Sequence, residues 1–409
     1  MIPTDTLDAS KLDGKLAVWT SARRQNVSCT EPLFLSLAVI NSILISNEKI
    51  EGVLFGYDCK INSRFNKKYD YDIYIDEAVC NSYLAKGDTI GCFYIESPAM
   101  RGLLRRLNCD NYKILVAASS IIRPGVAQSG MMKEYIFRHN NPTQFEYFHE
   151  VFREHLGETY GIMVYQEDVI KIAQHYGGLP APDGDILRRA MSGKGRSVEA
   201  LQKVKDNFFA CCAEKGHPEE LSQEIYRQIE SFAGFSFCKA HSASYAVESY
   251  QSLFLKVYYP VEFMTAVINN QGGFYRTEVY VHEARMSGGT ILNPCVNKSE
   301  YQTTVYGTDI YLGFMHLQSL ESKTAHLIES DREKNGDFLS LEDFINRIPI
   351  GIESMKILIF IDAFRFTGKT KNQLLVVASL LLNNFKPENR SLMLMQEPVK
   401  EYKLPTLER

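Results

Sequence analysis

The sequence predicts a mainly α-helical protein with a small amount of β structure near its N-terminus and around residues 290–313. Two observations support this fold class. Signals for helix starts and ends recur after residue 87, and apolar residues return at helical spacing between them. The stretches near Thr303 and Tyr311 read as short strands. At 409 residues, the chain is long enough for two or three domains with substantial cores.

The clearest helix start lies at Ser97-Pro98. A serine side chain accepts a hydrogen bond from a free N–H group at a helix start, and proline suits the first helical position because it has no N–H to satisfy. The predicted helix carries two rows of residues spaced four apart, namely Leu103 with Leu107 and Arg101 with Arg105.

Glycine and proline delimit the helices that follow. One helix is expected from Ser197 to Gly216, and the next opens at Pro218 with acids in its first turn, where the helix dipole favours them. The apolar residues of this second helix keep helical spacing up to Gly234; they are Leu221, Ile225, Ile229 and Phe232. Helices are also expected over residues 240–258, 260–268 and 279–286, and shorter ones over residues 318–382.

Charge and cysteine content limit the classes of partner and compartment. The formal net charge is -4, so any contact with nucleic acid has to come from local basic clusters. Nine cysteines are scattered without a metal-type spacing, which indicates reduced thiols and a cytoplasmic location. No apolar run is long enough for a membrane span, and we expect no membrane partner.

The central part of the chain contains a series of specific motifs in a fixed order. They read GDTIGCFYIESP (87–98), SSIIRPGVAQSGMMKEYIFR (119–138), YGIMVYQEDVIKIAQHYGG (160–178), ILRRAM (186–191), FAGFSFCKAHSASYA (232–246) and YYPVEFMTAVINNQGGFYRTEVYVHEAR (258–285). Together they resemble the fingers region of the bacterial DNA polymerase III alpha subunit, the C-family replicative DNA polymerase. The similarity extends over most of the chain, from about residue 18 to residue 382.

The resemblance implies an organisation in four parts. Residues 1–85 are expected to form a partial, palm-like remnant, and residues 86–300 a helical fingers domain. Residues 301–385 are expected to form a helix-hairpin-helix-like domain, and residues 386–409 a flexible tail. The family's phosphoesterase-like domain, thumb and oligonucleotide-binding barrel have no counterpart in this sequence.

The resemblance fails at the carboxylates that hold catalytic metal ions. Two of the family's three palm aspartates lie upstream of this sequence; Leu33 stands at the third, and Glu31 replaces a lysine. Phosphoryl transfer needs Mg²⁺ held by carboxylates, and leucine has no oxygen to offer. We therefore expect no catalytic residue, no metal site and no cofactor. Magnesium would be needed only if a carboxylate-bearing partner completed the site.

Basic residues that suit phosphate are better preserved. Arg188 and Arg189 match the paired arginines that contact the phosphates of the incoming nucleotide in the family, a role that suits the bidentate guanidinium group. Two alternatives to phosphate binding remain open. The basic residues would then form a solvated helix face, and His241 would be a packed, hydrogen-bonded histidine. The resemblance implies nucleotide or phosphate binding by Arg188 and Arg189, and the basic cluster that extends from them to Lys205 adds Lys194 and Arg196. Arg123, Lys239 and His241 are weaker candidates for the same role.

Residues 350–375, which read IGIESMKILIFIDAFRFTGKTKNQLL, resemble the family's helix-hairpin-helix element. Such a hairpin offers backbone N–H groups and a helix start to a DNA phosphate, whatever the base sequence. Asp362 replaces a hairpin glycine, and its negative charge opposes phosphate binding. Lys356, Lys369 and Lys371 are the expected DNA-binding residues and partly offset that charge.

These features predict a DNA polymerase III alpha-like protein of DNA replication or repair. We expect a pseudoenzyme that is inactive alone and retains a phosphate-binding fingers surface. One alternative is the fingers half of a split DNA-directed DNA polymerase, a nucleotidyltransferase completed in trans; another is a replisome scaffold without DNA binding. DNA or a nucleotide is the expected ligand, and another polymerase chain or a sliding clamp is a possible partner.

Overall fold

The computed structural model describes residues 78–122, 130–191, 198–231, 238–271 and 273–384. Most of the palm-like remnant with Leu33, three of the phosphate-binding candidates (Arg123, Lys194 and Arg196) and the C-terminal tail lie outside these residues. The described residues are mainly helical with one small sheet, which confirms the predicted fold class. They divide into two compact units, residues 78–259 and residues 260–384.

In the described part of unit 1 (residues 78–259), the secondary structure elements are helices joined by loops. Its helices are α1 Ala78–Lys86, α2 Pro98–Leu107, α3 Tyr112–Ile121, α4 Met131–Asn140, α5 Glu150–Leu156, α6 Gln166–His175, α7 Ala181–Met191, α8 Val198–Glu214, α9 Glu219–Ser231 and α10 Lys239–Tyr258. A single 3₁₀ turn, Gly157–Thr159, follows α5.

The start of α2 agrees with the sequence prediction. Ser97 is the N-cap residue, and its hydroxyl accepts the N–H of Met100 at 3.3 Å, while Pro98 occupies the first helical position. Leu103 and Leu107 are buried on the inner side of the helix. The predicted capping role and the apolar row are thereby confirmed.

Helices α3 and α10 pack against each other in unit 1. Small residues on α3, among them Ala117 and Ala118, are buried and allow this close approach. The Ser120 hydroxyl donates to the Ser242 hydroxyl at 2.7 Å across the interface. The Tyr112 hydroxyl donates to the Ala243 carbonyl at 2.8 Å. Buried polar groups are thus paired where the two helices meet, as burial requires.

The loop of residues 87–97 is held to α10 by polar contacts. The Ser252 hydroxyl accepts the N–H of Phe93 at 3.1 Å. The Lys256 ammonium, which is buried, donates to the Ile90 carbonyl at 2.8 Å. These bonds hold the loop between α1 and α2 against a helix more than 150 residues further along the chain.

Tyr176 is the centre of the packing among α5, α6, α8 and α9. Its ring is fully buried and stacks on the His217 ring with the centroids 4.2 Å apart. Phe152 and Phe208 contact the same ring. The Tyr176 hydroxyl is hydrogen-bonded to the Ser222 hydroxyl at 3.1 Å. An aromatic centre of this kind contributes stability through area and ring geometry together.

Unit 2 (residues 260–384) combines helices with three short strands. Its elements are α11 Pro260–Asn270, α12 Thr277–Met286, β1 Thr290–Leu292, β2 Thr304–Tyr306, β3 Asp309–Tyr311, the 3₁₀ turn Phe314–His316, α13 Ser322–Asn335, α14 Leu341–Arg347, α15 Ile352–Phe360, the 3₁₀ turn Arg365–Thr367 and α16 Lys371–Asn384. Strands β2 and β3 confirm the strand prediction near Thr303 and Tyr311.

The three strands form a mixed sheet in the order β1-β3-β2. Strands β2 and β3 are an antiparallel hairpin in which Tyr306 pairs with Asp309, and β1 joins β3 in parallel. Gly307 begins the two-residue turn with φ 65°, a left-handed conformation that glycine adopts without a steric penalty.

The core of unit 2 is aromatic and aliphatic. Phe344 is fully buried, and its ring contacts those of Phe338 and Phe364 with centroids 4.9 and 5.0 Å apart. Helices α14, α15 and α16 pack around this centre. No described helix has the length and apolar content that a membrane span requires.

Candidate phosphate-binding site

Helix α7 presents two adjacent arginines at its C-terminal end. Arg188 and Arg189 are both exposed, and both contact the carboxylate of Asp185. The Arg188 Nη2 and the Arg189 Nε each lie 2.8 Å from one of its oxygens. The hydrogen bond from Arg188 is the largest cause of a lowered pKa for Asp185. One negative charge is therefore shared by two positive charges.

The local sequence explains why these arginines lie on a helix end. Asp183 is in the first turn and the two arginines are in the last, and both placements suit the helix dipole. Leu187, next to Arg188 in the sequence, is buried. Helix α7 packs against α6 and α8. The Asn207 side chain on α8 donates to Asp183 at 3.1 Å. The packing against α6 and α8 thus holds helix α7 in place, while its two arginines remain exposed to solvent.

Lys239 begins α10 and is held by residues near the start of α6. Its ammonium forms an ion pair with Glu158 and lies 5.2 Å from the ring centroid of Tyr165. Its backbone N–H donates to a carboxylate oxygen of Glu167 at 3.0 Å. A phosphate group at this position would have to displace Glu158 from the ammonium.

His241 lies in the first turn of α10 with its ring against Tyr245, the centroids being 4.1 Å apart. Tyr245 in turn meets the rings of Phe93 and Tyr94 edge-on. This is the packed environment that the sequence offered as the alternative to a phosphate-binding role for His241. Its assignment to nucleotide binding stays a prediction.

Helix α6 connects the two groups of candidate residues. Residues at its start contact Lys239, while α7 with Arg188 and Arg189 packs along its length. The structure therefore links three of the seven predicted phosphate-binding residues, Arg188, Arg189 and Lys239, to the same helix. The ring of a fourth, His241, packs against Tyr245 instead. The other three, Arg123, Lys194 and Arg196, lie outside the described residues.

The three predicted DNA-binding lysines of unit 2 all contact other parts of the protein. The Lys356 ammonium lies 2.8 Å from a Glu353 oxygen, and that of Lys369 lies 3.4 Å from a Glu342 oxygen. The Lys371 ammonium donates to the Phe360 carbonyl at the end of α15 at 2.8 Å. Each lysine can bind a phosphate only by exchanging or sharing these contacts.

Asp362 occupies the turn between α15 and the 3₁₀ turn that follows it. Its φ of 67° lies in the left-handed region, where glycine is favoured over a side-chain-bearing residue. This backbone agrees with the resemblance, which places a glycine here in the family. Further along, Thr370 and Gln373 bond reciprocally at the start of α16, so this helix start is capped by its own side chains.

The sequence reading did not identify the carboxylates that pair with the candidate residues. Asp185 was detectable, because acids three and four residues before an arginine meet it on a helix. Glu158 was not, since 81 residues separate it from Lys239. Within the described ranges, no three His, Cys, Asp or Glu side chains form a group that could hold a metal ion.

Two family models match this chain, each over a part of one unit. Residues 59–216 match the family model for the bacterial DNA polymerase III alpha subunit finger domain. Residues 288–374 match the family model for a helix-hairpin-helix motif. The two matched segments contain α7 and the Asp362 turn, respectively.

Two curated proteins show the same similarity. The chain is 32% identical over 377 residues to a DNA polymerase III subunit alpha of Staphylococcus aureus, an alignment that covers 90% of this chain and 34% of the relative. A DNA polymerase III subunit alpha of Staphylococcus epidermidis is 31% identical over the same length and shares. The chain thus spans about a third of the length of the curated relatives it matches.

Proposed function

This chain carries a fingers domain of the bacterial DNA polymerase III alpha family followed by a helix-hairpin-helix region, and we propose that it binds the phosphates of DNA or of a nucleotide through α7. The observation that supports this most directly is the pair of exposed arginines, Arg188 and Arg189, which share the single carboxylate of Asp185. A phosphate can accept bidentate bonds from guanidinium groups that one aspartate does not fully neutralise.

The chain alone does not extend a primer in this proposal. The supporting observation is Leu33, a hydrocarbon side chain at the position of a family aspartate. Magnesium would supply charge neutralisation for phosphoryl transfer, and it needs oxygen ligands. The protein would then act in the cytoplasm beside a second polymerase chain or a sliding clamp, in replication or repair.

A charge-reversal experiment tests the α7 surface. The affinity for a fluorescent primer-template DNA is measured by anisotropy at several salt concentrations for the wild type and for Arg188→Glu/Arg189→Glu. Each lost phosphate contact on duplex DNA lowers the salt slope by about 0.9, so two lost contacts lower it by about 1.8. Unchanged affinity and slope would remove both arginines from the binding surface.

A matched control distinguishes local contacts from net charge. Arg153 and Arg227 are also exposed and also pair with an acid three residues earlier, on helices α5 and α9. Arg153→Glu/Arg227→Glu changes the net charge by the same amount and is expected to keep most of the affinity. An equal loss in both double variants would show that only overall charge matters.

A scaffold without DNA binding is the second candidate function, and two observations favour it. All three predicted DNA-binding lysines of unit 2 contact other protein groups. Asp362 adds a negative charge to the same segment of the sequence. This function predicts no salt-dependent DNA binding by the wild type.

Primer extension with Mg²⁺ tests the remaining alternative, a split polymerase. Extension by the purified chain alone would refute the proposal that the chain is inactive. Extension only in the presence of a second polymerase chain would support the split enzyme.

A further inference from the structure

Helix α2 carries a second group of basic side chains, separate from the residues assigned above. Between Ser97 and Cys109 the sequence has three arginines and no acid. Arg105 and Arg106 are exposed and Arg101 is partly exposed, and exposed Lys86 ends the preceding helix, α1. We call Lys86, Arg101, Arg105 and Arg106 the α2 basic face.

Direct contacts join the end of α1 to the row formed by Arg101 and Arg105. The Arg101 Nε donates to the Gly87 carbonyl at 2.7 Å, which ties α2 to the end of α1. Gly87 has a φ of 66°, and a Cβ built on it would lie 3.4 Å from the Arg105 Cγ. Lys86 is the neighbour of Gly87 in the chain. The C-terminal end of α1 therefore lies on the row formed by Arg101 and Arg105.

The α2 basic face has no carboxylate partner in the part of the chain that the structure describes. Exposed arginines elsewhere in unit 1 do have one, as Arg153 has Glu150 and Arg227 has Glu224. Asp88 and Asp110 flank the face in sequence, yet neither forms an ion pair with it; the Asp110 carboxylate accepts the side-chain amide of Asn111.

The helix dipole does not remove this excess of positive charge. The carbonyl end of α2 favours Arg105 and Arg106, each by a fraction of a kcal/mol up to about 1 kcal/mol. Arg101 and Arg105, four residues apart, repel each other by a similar small amount. The four charges thus remain available to an external polyanion.

The neighbouring end of α4 adds an uncharged and an aromatic group. The Asn140 side chain donates to the Arg106 carbonyl at 3.1 Å, so the last turn of α4 lies beside Arg106. Phe137, three residues before Asn140 and therefore on the same side of α4, is 45% exposed. Positive charges beside an exposed ring are the combination that single-stranded nucleic acid uses, with phosphates on the charges and a base on the ring.

We propose that the α2 basic face, with Phe137, is a binding surface for a single strand of nucleic acid, additional to the α7 arginines. The row of Arg101 and Arg105 runs along the helix axis with a rise of about 6 Å, four residues at about 1.5 Å each. An extended row of charges suits successive phosphates of a strand better than one isolated phosphate ion. This inference rests on the proposed DNA-binding function.

The test measures binding of a fluorescent oligo(dT) to the full chain by anisotropy across a range of salt concentrations. Arg105→Glu/Arg106→Glu is expected to weaken binding about tenfold or more and to lower the salt slope by about 1.4, which is 0.7 for each of two contacts on a single strand. Arg105→Gln/Arg106→Gln is a milder variant, with the same direction and a smaller loss. Phe137→Leu is expected to weaken oligo(dT) binding about fivefold or more by removing a stacked base.

The matched control is Lys323→Glu/Lys334→Glu on α13. Both lysines are exposed, and their reversal changes the net charge by the same amount. The control is expected to bind oligo(dT) like the wild type, and an equal loss in both double variants overturns the proposal. An unchanged affinity of both α2 variants also overturns it, provided that their circular dichroism matches the wild type.

Two further comparisons separate the nature of the ligand from the proposed function. If duplex DNA loses as much affinity as oligo(dT) in the α2 and Phe137 variants, or if polyglutamate of equal charge displaces oligo(dT) equally well, the single-strand assignment is overturned. Loss of oligo(dT) binding in Arg188→Glu/Arg189→Glu alone would overturn the α2 basic face and leave the proposed function intact. Loss in the α2 variants with no effect at α7 supports the α2 surface and contradicts the α7 assignment.

Discussion

Asp168 makes the stability of unit 1 depend on pH. Its carboxylate is buried at the third position of α6, where one oxygen, Oδ2, accepts the N–H groups of Val164 and Tyr165 at 3.0 Å each. Burial raises its pKa from an ordinary 3.8 to about 6, because removal from water penalises the charged form more than these two bonds favour it.

The sign of the effect follows from the raised pKa. The folded state holds the proton more tightly than the unfolded chain, so the stabilising contribution of Asp168 is complete below about pH 4 and is lost as the pH rises through about 6. The difference between the two pKa values corresponds to about 3 kcal/mol. At neutral pH, a buried carboxylate is therefore less favourable than a neutral group that makes the same two bonds.

The Asp168→Asn variant isolates this charge. Its amide oxygen can accept both N–H groups, and no charge is buried. Urea unfolding followed by circular dichroism between pH 4 and pH 7.5 should show the variant more stable than the wild type at pH 7, by up to about 3 kcal/mol. This advantage should shrink towards zero near pH 4.

Asp168→Ala provides the control. It removes the acceptor and leaves two buried N–H groups unpaired, which costs about 1–3 kcal/mol for each group relative to the Asn variant at every pH. The reasoning is refuted if Asp168→Asn is less stable than the wild type at pH 7, or if the difference between them does not change with pH.

Two glycine-related substitutions in unit 2 give further predictions. A Cβ at Gly313 would lie 2.3 Å from the backbone carbon of Gln302, so Gly313→Ala should cost about 2 kcal/mol or more in thermal unfolding; an unchanged melting temperature would contradict this. Asp362 has a left-handed φ of 67°, so Asp362→Gly should stabilise the turn by up to about 1 kcal/mol and tighten salt-dependent DNA binding by removing a negative charge. Weaker binding by this variant would count against a DNA-facing hairpin.

Much of the fold could be predicted because its signals are local. Ser97 and Pro98 mark a helix start through the chemistry of their own side chains, and the structure agrees. The strands near Thr303 and Tyr311 were also predicted, whereas their sheet order was not. Strand β1 pairs directly with β3 although β2 lies between them in the sequence, and nothing in a three-residue segment specifies a partner about twenty residues away.

The sequence predicts which residues belong to the candidate site, but not all of the partners that they contact. The motif around Arg188 marks this arginine as a candidate for phosphate binding. Its ion pair with Asp185 follows from the helical spacing of three residues. The Glu158 partner of Lys239 depends on how α6 and α10 meet, which is decided by tertiary packing. An aspartate does not by itself predict the left-handed backbone conformation of Asp362. The resemblance, which places a glycine at this position in the family, is consistent with that conformation.

The most direct test of the central claim is the salt dependence of DNA binding by the wild-type chain. The account predicts that the logarithm of the association constant falls linearly with the logarithm of the salt concentration, with a slope of about -0.9 for each phosphate contacted on duplex DNA. Binding that does not respond to salt, or no binding at 50 mM salt or below, would contradict it.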